Sequence, residues 1–250
     1  MRPLRVFTAI VLIMVGGAAR AAPDAQALVR KAFDNWRGGS SQSSLTMRIH
    51  RPSWERSMSM QAWTEGDDKA LVRFTAPAKD AGNATLTVSG RTWVYDPKLS
   101  QTIALPASMM AQSWMGSDFS NDDLSKSEAL LTDYTHRIVG ETREDGRTVY
   151  SIEAIPKPGA PVVWGKQVVK VRDDGVFLAE TFYDQRMRPV RAMTTDKVAQ
   201  IGGRPYPAEI TMRPAGKPGE WTTVTTLRAR FGLKLPAYTF TLSNLANPRS

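Results

Sequence analysis

From Leu45 onward the chain alternates apolar and polar positions in short runs. Leu45, Met47 and Ile49 are separated by Thr46 and Arg48; Met58, Met60 and Ala62 by Ser59 and Gln61; Ala70, Val72 and Phe74 by Leu71 and Arg73; Leu86 and Val88 by Thr87. A period of two puts one set on each side of a β-strand. Trp93-Val94-Tyr95 runs into an Asp96-Pro97 turn signal, and residues 102–105 resume a strand. The pattern returns over residues 134–141, 147–155, 166–172, 177–183, 190–197, 206–212 and 220–231. Glu144-Asp145-Gly146 and Asp173-Asp174-Gly175 read as hairpin turns, with glycine supplying a positive φ. About a dozen short strands joined this way predict a meandering antiparallel sheet. A sheet of that size curls. The expected architecture is mainly β (α+β): a barrel or half-barrel with helices packed against its concave face.

Two segments break the alternation. Over residues 24–36, Leu28, Val29, Ala32, Phe33 and Trp36 form one helical stripe, with Asp24 as N-cap and Gly38-Gly39 as the stop. Between the two groups of strands lies Leu105-Pro106-Ala107-Ser108-Met109-Met110-Ala111-Gln112-Ser113-Trp114-Met115, followed by Gly116-Ser117-Asp118-Phe119-Ser120-Asn121-Asp122-Asp123-Leu124. The first part is too apolar for a surface loop. Pro106 suits the first turn of a helix, Gly116 would end it, and Ser117 or Asp118 would cap the next. Met109, Met110 and Trp114 are expected to share a face that plugs a cavity, so the segment reads as a lid. Asp118, Asp122 and Asp123 lack the spacing of a calcium loop and read as capping and surface charge.

The N-terminus changes the picture of where such a protein works. Arg2 and Arg5 precede an apolar run over residues 6–17, and Ala19-Arg20-Ala21 offers a cleavage site. Residues 1–21 are expected to be a signal peptide and residues 22–250 a single exported domain, periplasmic in a Gram-negative host. The 250-residue chain has no cysteine, so neither disulfide nor lipidated cysteine enters the argument. Losing Arg2, Arg5 and Arg20 lowers the formal charge from +9 to +6. That basic excess suits transient contact with anionic surfaces or simple solubility. No Lys/Arg cluster argues for nucleic acid.

Catalytic vocabulary is scarce. His50 and His136 are the two histidines, and neither has a nucleophile or metal-ligand partner at local spacing. There is no Gly-x-Ser-x-Gly elbow, His-Glu-x-x-His or phosphate loop. The reading is a non-enzyme with no cofactor and no metal.

Trp93-Val94-Tyr95-Asp96-Pro97 and the run Met115 through Leu124 resemble outer-membrane lipoprotein-sorting-like proteins of the LolA/LolB-like superfamily. Thr181-Phe182-Tyr183-Asp184 and Ile201-Gly202-Gly203-Arg204-Pro205-Tyr206-Pro207 resemble the second half of the same family, although Gln185-Arg186-Met187 stands where the family usually has a turn glycine. The resemblance implies an unclosed β-barrel capped by helices around an apolar cavity. It implies a carrier or chaperone of lipids or lipoprotein acyl chains, working with an inner-membrane exporter of the resistance-nodulation-division type. An envelope sensor on the same fold is the alternative.

The candidate site is apolar: Met47, Met58, Met60, Val72, Phe74, Leu86, Val88 and Trp93 from the strands, and Met109, Met110, Trp114, Met115 and Phe119 from the lid. Nine methionines remain after residues 1–21 are removed. Methionine is flexible and polarizable and suits adaptable apolar surfaces, but it also fills ordinary cores. If the alternating sets align across the sheet, they form a continuous trough for an acyl chain.

Overall fold

The computed structural model describes residues 23–125 and 128–249; the expected signal peptide lies outside the described residues. The described residues form thirteen strands in one antiparallel sheet. The first meander comprises β1 (Ser40–Arg51), β2 (Trp54–Glu65), β3 (Lys69–Ala76), β4 (Ala84–Val88), β5 (Arg91–Asp96) and β6 (Gln101–Ala104). The second comprises β7 (Tyr134–Glu144), β8 (Arg147–Pro156), β9 (Lys166–Arg172), β10 (Phe177–Tyr183), β11 (Pro189–Ile201), β12 (Arg204–Pro214) and β13 (Trp221–Phe231). The two join where β1 pairs with β13, giving the order β6-β5-β4-β3-β2-β1-β13-β12-β11-β10-β9-β8-β7. The outermost strands, β6 and β7, are consecutive in the chain but do not pair, so the curled sheet is an unclosed barrel. Residues 105–133 connect these two open edges.

Helix α1 (Ala25–Arg37) begins where the Asp24 side chain accepts from the Gln26 N–H at 3.0 Å and ends at Gly38, whose φ of 65° favours glycine. Its stripe of Leu28, Val29, Ala32 and Phe33 packs with Ile152, Val169 and Val171 of β8 and β9. Burying each such side chain is worth roughly 1.5–3 kcal/mol, which fixes a short helix that would be marginal alone.

The other face of the sheet is covered near β3 to β5. Helix α5 (Leu242–Ala246) is capped by Thr241, which accepts from the Asn244 N–H at 3.2 Å. Arg73 donates to the carbonyls of Asn244 and Leu245 at 2.7 and 3.0 Å, satisfying acceptors that the helix end leaves open. Leu245 is fully buried against Leu71, Ala84 and Leu86, with Trp63, Val88 and Trp93 around them. Strand register explains the arrangement. Leu71 sits opposite Leu86, and Leu86 opposite Trp93, so all three share one face; Val72 sits opposite Thr85 and shares the other. Leu86, Val88 and Trp93, expected on the cavity side, therefore face away from it. The apolar alternation of β4 marks the side under α5.

The lid segment is more broken than its sequence implies. It contains α2 (Ala107–Met110), a 3₁₀ turn (Trp114–Gly116), α3 (Asn121–Ser125) and α4 (Ala129–Thr132). The cap of α3 is neither Ser117 nor Asp118. Ser120 and Asp123 form a reciprocal capping box: the Asp123 carboxylate accepts from the Ser120 N–H at 2.8 Å and the Ser120 hydroxyl from the Asp123 N–H at 3.3 Å. At the turn before it, Met115 (φ 54°) and Gly116 (φ 78°) both adopt the left-handed conformation. That costs little at glycine and is uncommon for methionine. The missing family glycine near residue 185 is accommodated similarly: Met187 takes φ 59°, while the Asp184 carboxylate accepts from the N–H groups of Arg186 and Arg188, each at 2.9 Å.

Candidate functional site

The concave face encloses a cavity of about 320 Å³, at the small end of the ~300–1,000 Å³ usual for ligand sites. Strands β1 to β3 contribute Leu45, Met60, Ala62 and Val72; β10 to β13 contribute Phe182, Met193, Ile210 and Val224. Val29, Phe33 and Trp36 of α1 form another wall, and Trp114, Phe119 and Leu124 close it from the lid. The lining is dominated by aliphatic and aromatic carbon, a surface that holds apolar matter by exclusion of water.

Of the thirteen side chains singled out in the sequence, Met60, Val72, Trp114 and Phe119 line this cavity. Met47, Met58 and Phe74 lie on the same face but are fully buried in a packed cluster with Ile49, Met60 and Trp114. Met115 is partly buried against that cluster. Met109 and Met110 are half-buried in α2 and do not line the cavity. Sequence reasoning missed the contributions of α1 and of β9 to β13. The helical stripe ending at Trp36 was a usable signal; which strand face curls inward was not.

Trp114 is the joint between packed cluster and cavity. Only 6% exposed, it packs on Phe74 with ring centroids 5.3 Å apart, and its Nε1–H donates to the Thr85 hydroxyl at 3.0 Å. Two buried ion pairs fasten the lid beyond it. Arg51 at the end of β1 grips Asp118 with two hydrogen bonds, and Thr222 of β13 donates to the same carboxylate at 2.6 Å while accepting from the Asp118 N–H at 3.0 Å. Arg191 of β11 bonds to the Asp123 carboxylate and to the Asp118 carbonyl. Its guanidinium lies 4.7 and 4.5 Å from the ring centroids of Trp164 and Phe182. Asp118 and Asp123, read in the sequence as capping and surface charge, are thus the lid's anchors, with Asp123 also serving as a cap.

The lining holds a few polar groups. Glu180 on β10 is buried, and desolvation, reinforced by the nearby Asp123 charge and opposed by Arg191, pushes its carboxyl up to about 8. Tyr134, whose hydroxyl donates to the Trp164 carbonyl at 3.3 Å, is held up to about 12 mainly by burial. Gln167, Asp122 and Asp123 complete this end of the cavity. The two histidines lie elsewhere. His50 stacks on Trp221 at 4.8 Å and pairs with Glu55; His136 bonds through Nε2 to the Leu130 carbonyl at 2.8 Å. Among the described residues, no group of three His, Asp or Glu side chains is arranged to hold a metal ion, and no helix is long and apolar enough to cross a membrane.

The fold of this curled, unclosed sheet has counterparts of known structure. A family model described as an uncharacterized protein matches residues 66–247, so the chain belongs to that family, and its fold is shared with a LolA superfamily protein of known structure. A DUF1329 family protein from Desulfovibrio piger is similar with a TM-score of 0.80 and 25% identity, over 88% of this chain and 97% of that one. An outer membrane lipoprotein-sorting protein domain from Vibrio parahaemolyticus gives 0.75 and 22%, over 89% and 98%. A LolA superfamily protein from Nitrosomonas europaea gives 0.73 and 24%, over 88% and 98%. A comparison with curated proteins finds no match.

Proposed function

We propose that this protein is a periplasmic carrier or chaperone that holds lipids, or the acyl chains of lipoproteins, inside the concave face of its sheet. Residues 1–21 act as the cleaved signal and residues 22–250 as the carrier domain. An inner-membrane exporter of the resistance-nodulation-division type is the proposed partner, with delivery through transient membrane contact. The observation that carries the reading is the apolar cavity beneath the lid, lined by Met60, Val72, Phe182 and Met193 and closed by Trp114 and Phe119. Each buried CH₂ of an acyl chain gains about 0.8 kcal/mol, so such a wall retains a chain without charged contacts. The similarity to lipoprotein-sorting structures supports the same reading. The protein is read as non-enzymatic: neither histidine lines the cavity, His50 pairing with Glu55 and the half-buried His136 bonding to the carbonyl of Leu130, a cavity-wall residue.

Lipid extraction and mass spectrometry of protein purified from its native host test the proposal. Recovery of a lipid in near-stoichiometric amount is the expected result. Absence of lipid together with failure to bind a fluorescent fatty-acid probe would overturn it.

A further inference from the structure

One group in the cavity wall is out of keeping with its surroundings. Glu180 stands on β10 directly opposite Val169 of β9 and Met193 of β11, all three lining the cavity. It is 7% exposed, its carboxyl makes no hydrogen bond among the described residues, and its oxygens are not among the fully occluded atoms that lack a partner, so they open onto the cavity it lines. A buried acid kept this way is costly unless something satisfies it. Arg191, its cationic neighbour, makes no bond to it: its two terminal nitrogens go to the Asp118 carbonyl and the Asp123 carboxylate, its plane lies against two aromatic rings, and its buried Nε–H is left without a partner. Gln167, 5% exposed, lines the cavity from β9, one diagonal step from Glu180 across the β9–β10 ladder and within hydrogen-bond reach of Tyr134. An apolar chamber with one unsatisfied carboxyl and a neighbouring amide is built for a ligand that is greasy along its length and polar at one point.

The sign of that polar point follows from the surroundings. Asp122 and Asp123 line the cavity, and the Asp123 charge, paired with Arg191, acts on Glu180. Arg37, the cationic side chain of the lining, donates to the carbonyls of Gly66 and Lys69. A carboxylate or phosphate placed at this end meets further acids in a poorly screened site. A hydroxyl meets no such penalty. It both donates and accepts, so it matches a carboxyl in either protonation state. Burial, which pushes Glu180 up to about 8, keeps it mostly in the acid form at neutral pH and lowers the cost of holding it in the cavity wall.

We propose that Glu180, with Gln167 beside it, is the recognition point for an uncharged hydroxyl on an otherwise apolar lipid, and that the cavity selects such lipids over those carrying an anionic head. The proposal rests on the carrier reading above and names its cargo class. The test is displacement of a bound fluorescent acyl probe at pH 7 by dodecanol, dodecane, dodecanoate and dodecylamine, using the parent protein, Glu180→Gln and Glu180→Leu. Circular dichroism confirms folding of each. In the parent, dodecanol should compete about fivefold better than dodecane or dodecanoate, the scale of one net hydrogen bond. Glu180→Leu should abolish that advantage, and Glu180→Gln, which keeps a donor and an acceptor, should retain most of it. Equal competition by alcohol and alkane, an alcohol preference that survives in Glu180→Leu, or tightest binding by the amine would each overturn the hydroxyl assignment. If the acyl probe itself does not bind the parent, the carrier reading fails instead.

Discussion

Arg51 and Asp118, sixty-seven positions apart, meet in a two-pronged ion pair with nitrogen–oxygen distances of 3.0 and 3.1 Å, both side chains largely buried. The pair ties the lid to the end of the strand at which the two meanders join. Breaking a buried pair from one side leaves a charge uncompensated and costs about 3–5 kcal/mol. Asp118→Ala should therefore loosen the segment around residues 114–124 and speed release of an acyl probe. Hydrogen exchange of those amides and the probe's dissociation rate are the measurements. Parent-like values of both would mean that the lid is held elsewhere.

Trp114 has a different role from that of a mobile plug. Its sequence context predicts a lid residue whose loss alters ligand exchange more than folding, but its ring is buried on Phe74 and bonded to Thr85. Trp114→Ala should thus cost about 3–5 kcal/mol of stability as well as alter binding. Thermal unfolding monitored alongside probe titration separates the two effects. An unchanged melting temperature would restore the mobile-plug picture.

Opposite faces of neighbouring strands should answer differently to the same substitution. Met60→Asp places a charge where the cavity meets the Met47 and Met58 cluster, and should abolish acyl-probe binding. Leu86→Asp places it under Leu245 and should unfold the sheet edge by the same desolvation cost. A milder version is Leu245→Ala, expected to lose about 2–5 kcal/mol while probe affinity stays at the parent level. A fall in affinity in Leu245→Ala, measured below its unfolding transition, would show that the two faces are coupled.

Glu180 gives stability a pH dependence of unusual sign. Its folded-state pKa, about 8, lies above the ordinary glutamate value of 4.5, so the folded protein holds a proton that the unfolded chain releases. The contribution is fully present below about pH 4.5 and is lost as pH rises toward 8, by on the order of 5 kcal/mol. Denaturant titrations from pH 5 to pH 9 should show this decline in the parent and a flatter profile in Glu180→Gln. Parallel profiles would remove Glu180 as the source.

What the sequence determined by itself is local. The period-two runs specify strands, the Leu28–Trp36 stripe specifies α1, and Asp24 and Gly38 mark its ends, because each depends on neighbours a few positions away. The Gly116-Ser117-Asp118 region was legible as special without revealing its partners. Tertiary structure alone decided which side of each strand is the inside. Alternation labels two faces but carries no sign, and in β4 the apolar set lies under α5 while Thr85 and Thr87 face the cavity. It also decided that Asp118 and Asp123 are anchors, since Arg51, Thr222 and Arg191 come from strands that only the curl of the sheet brings beneath the lid. Glu180 left no local signal. A polar residue within an alternating strand reads as solvent-facing, and only the closure of α1 and the lid over β10 turned that position into the interior of a cavity.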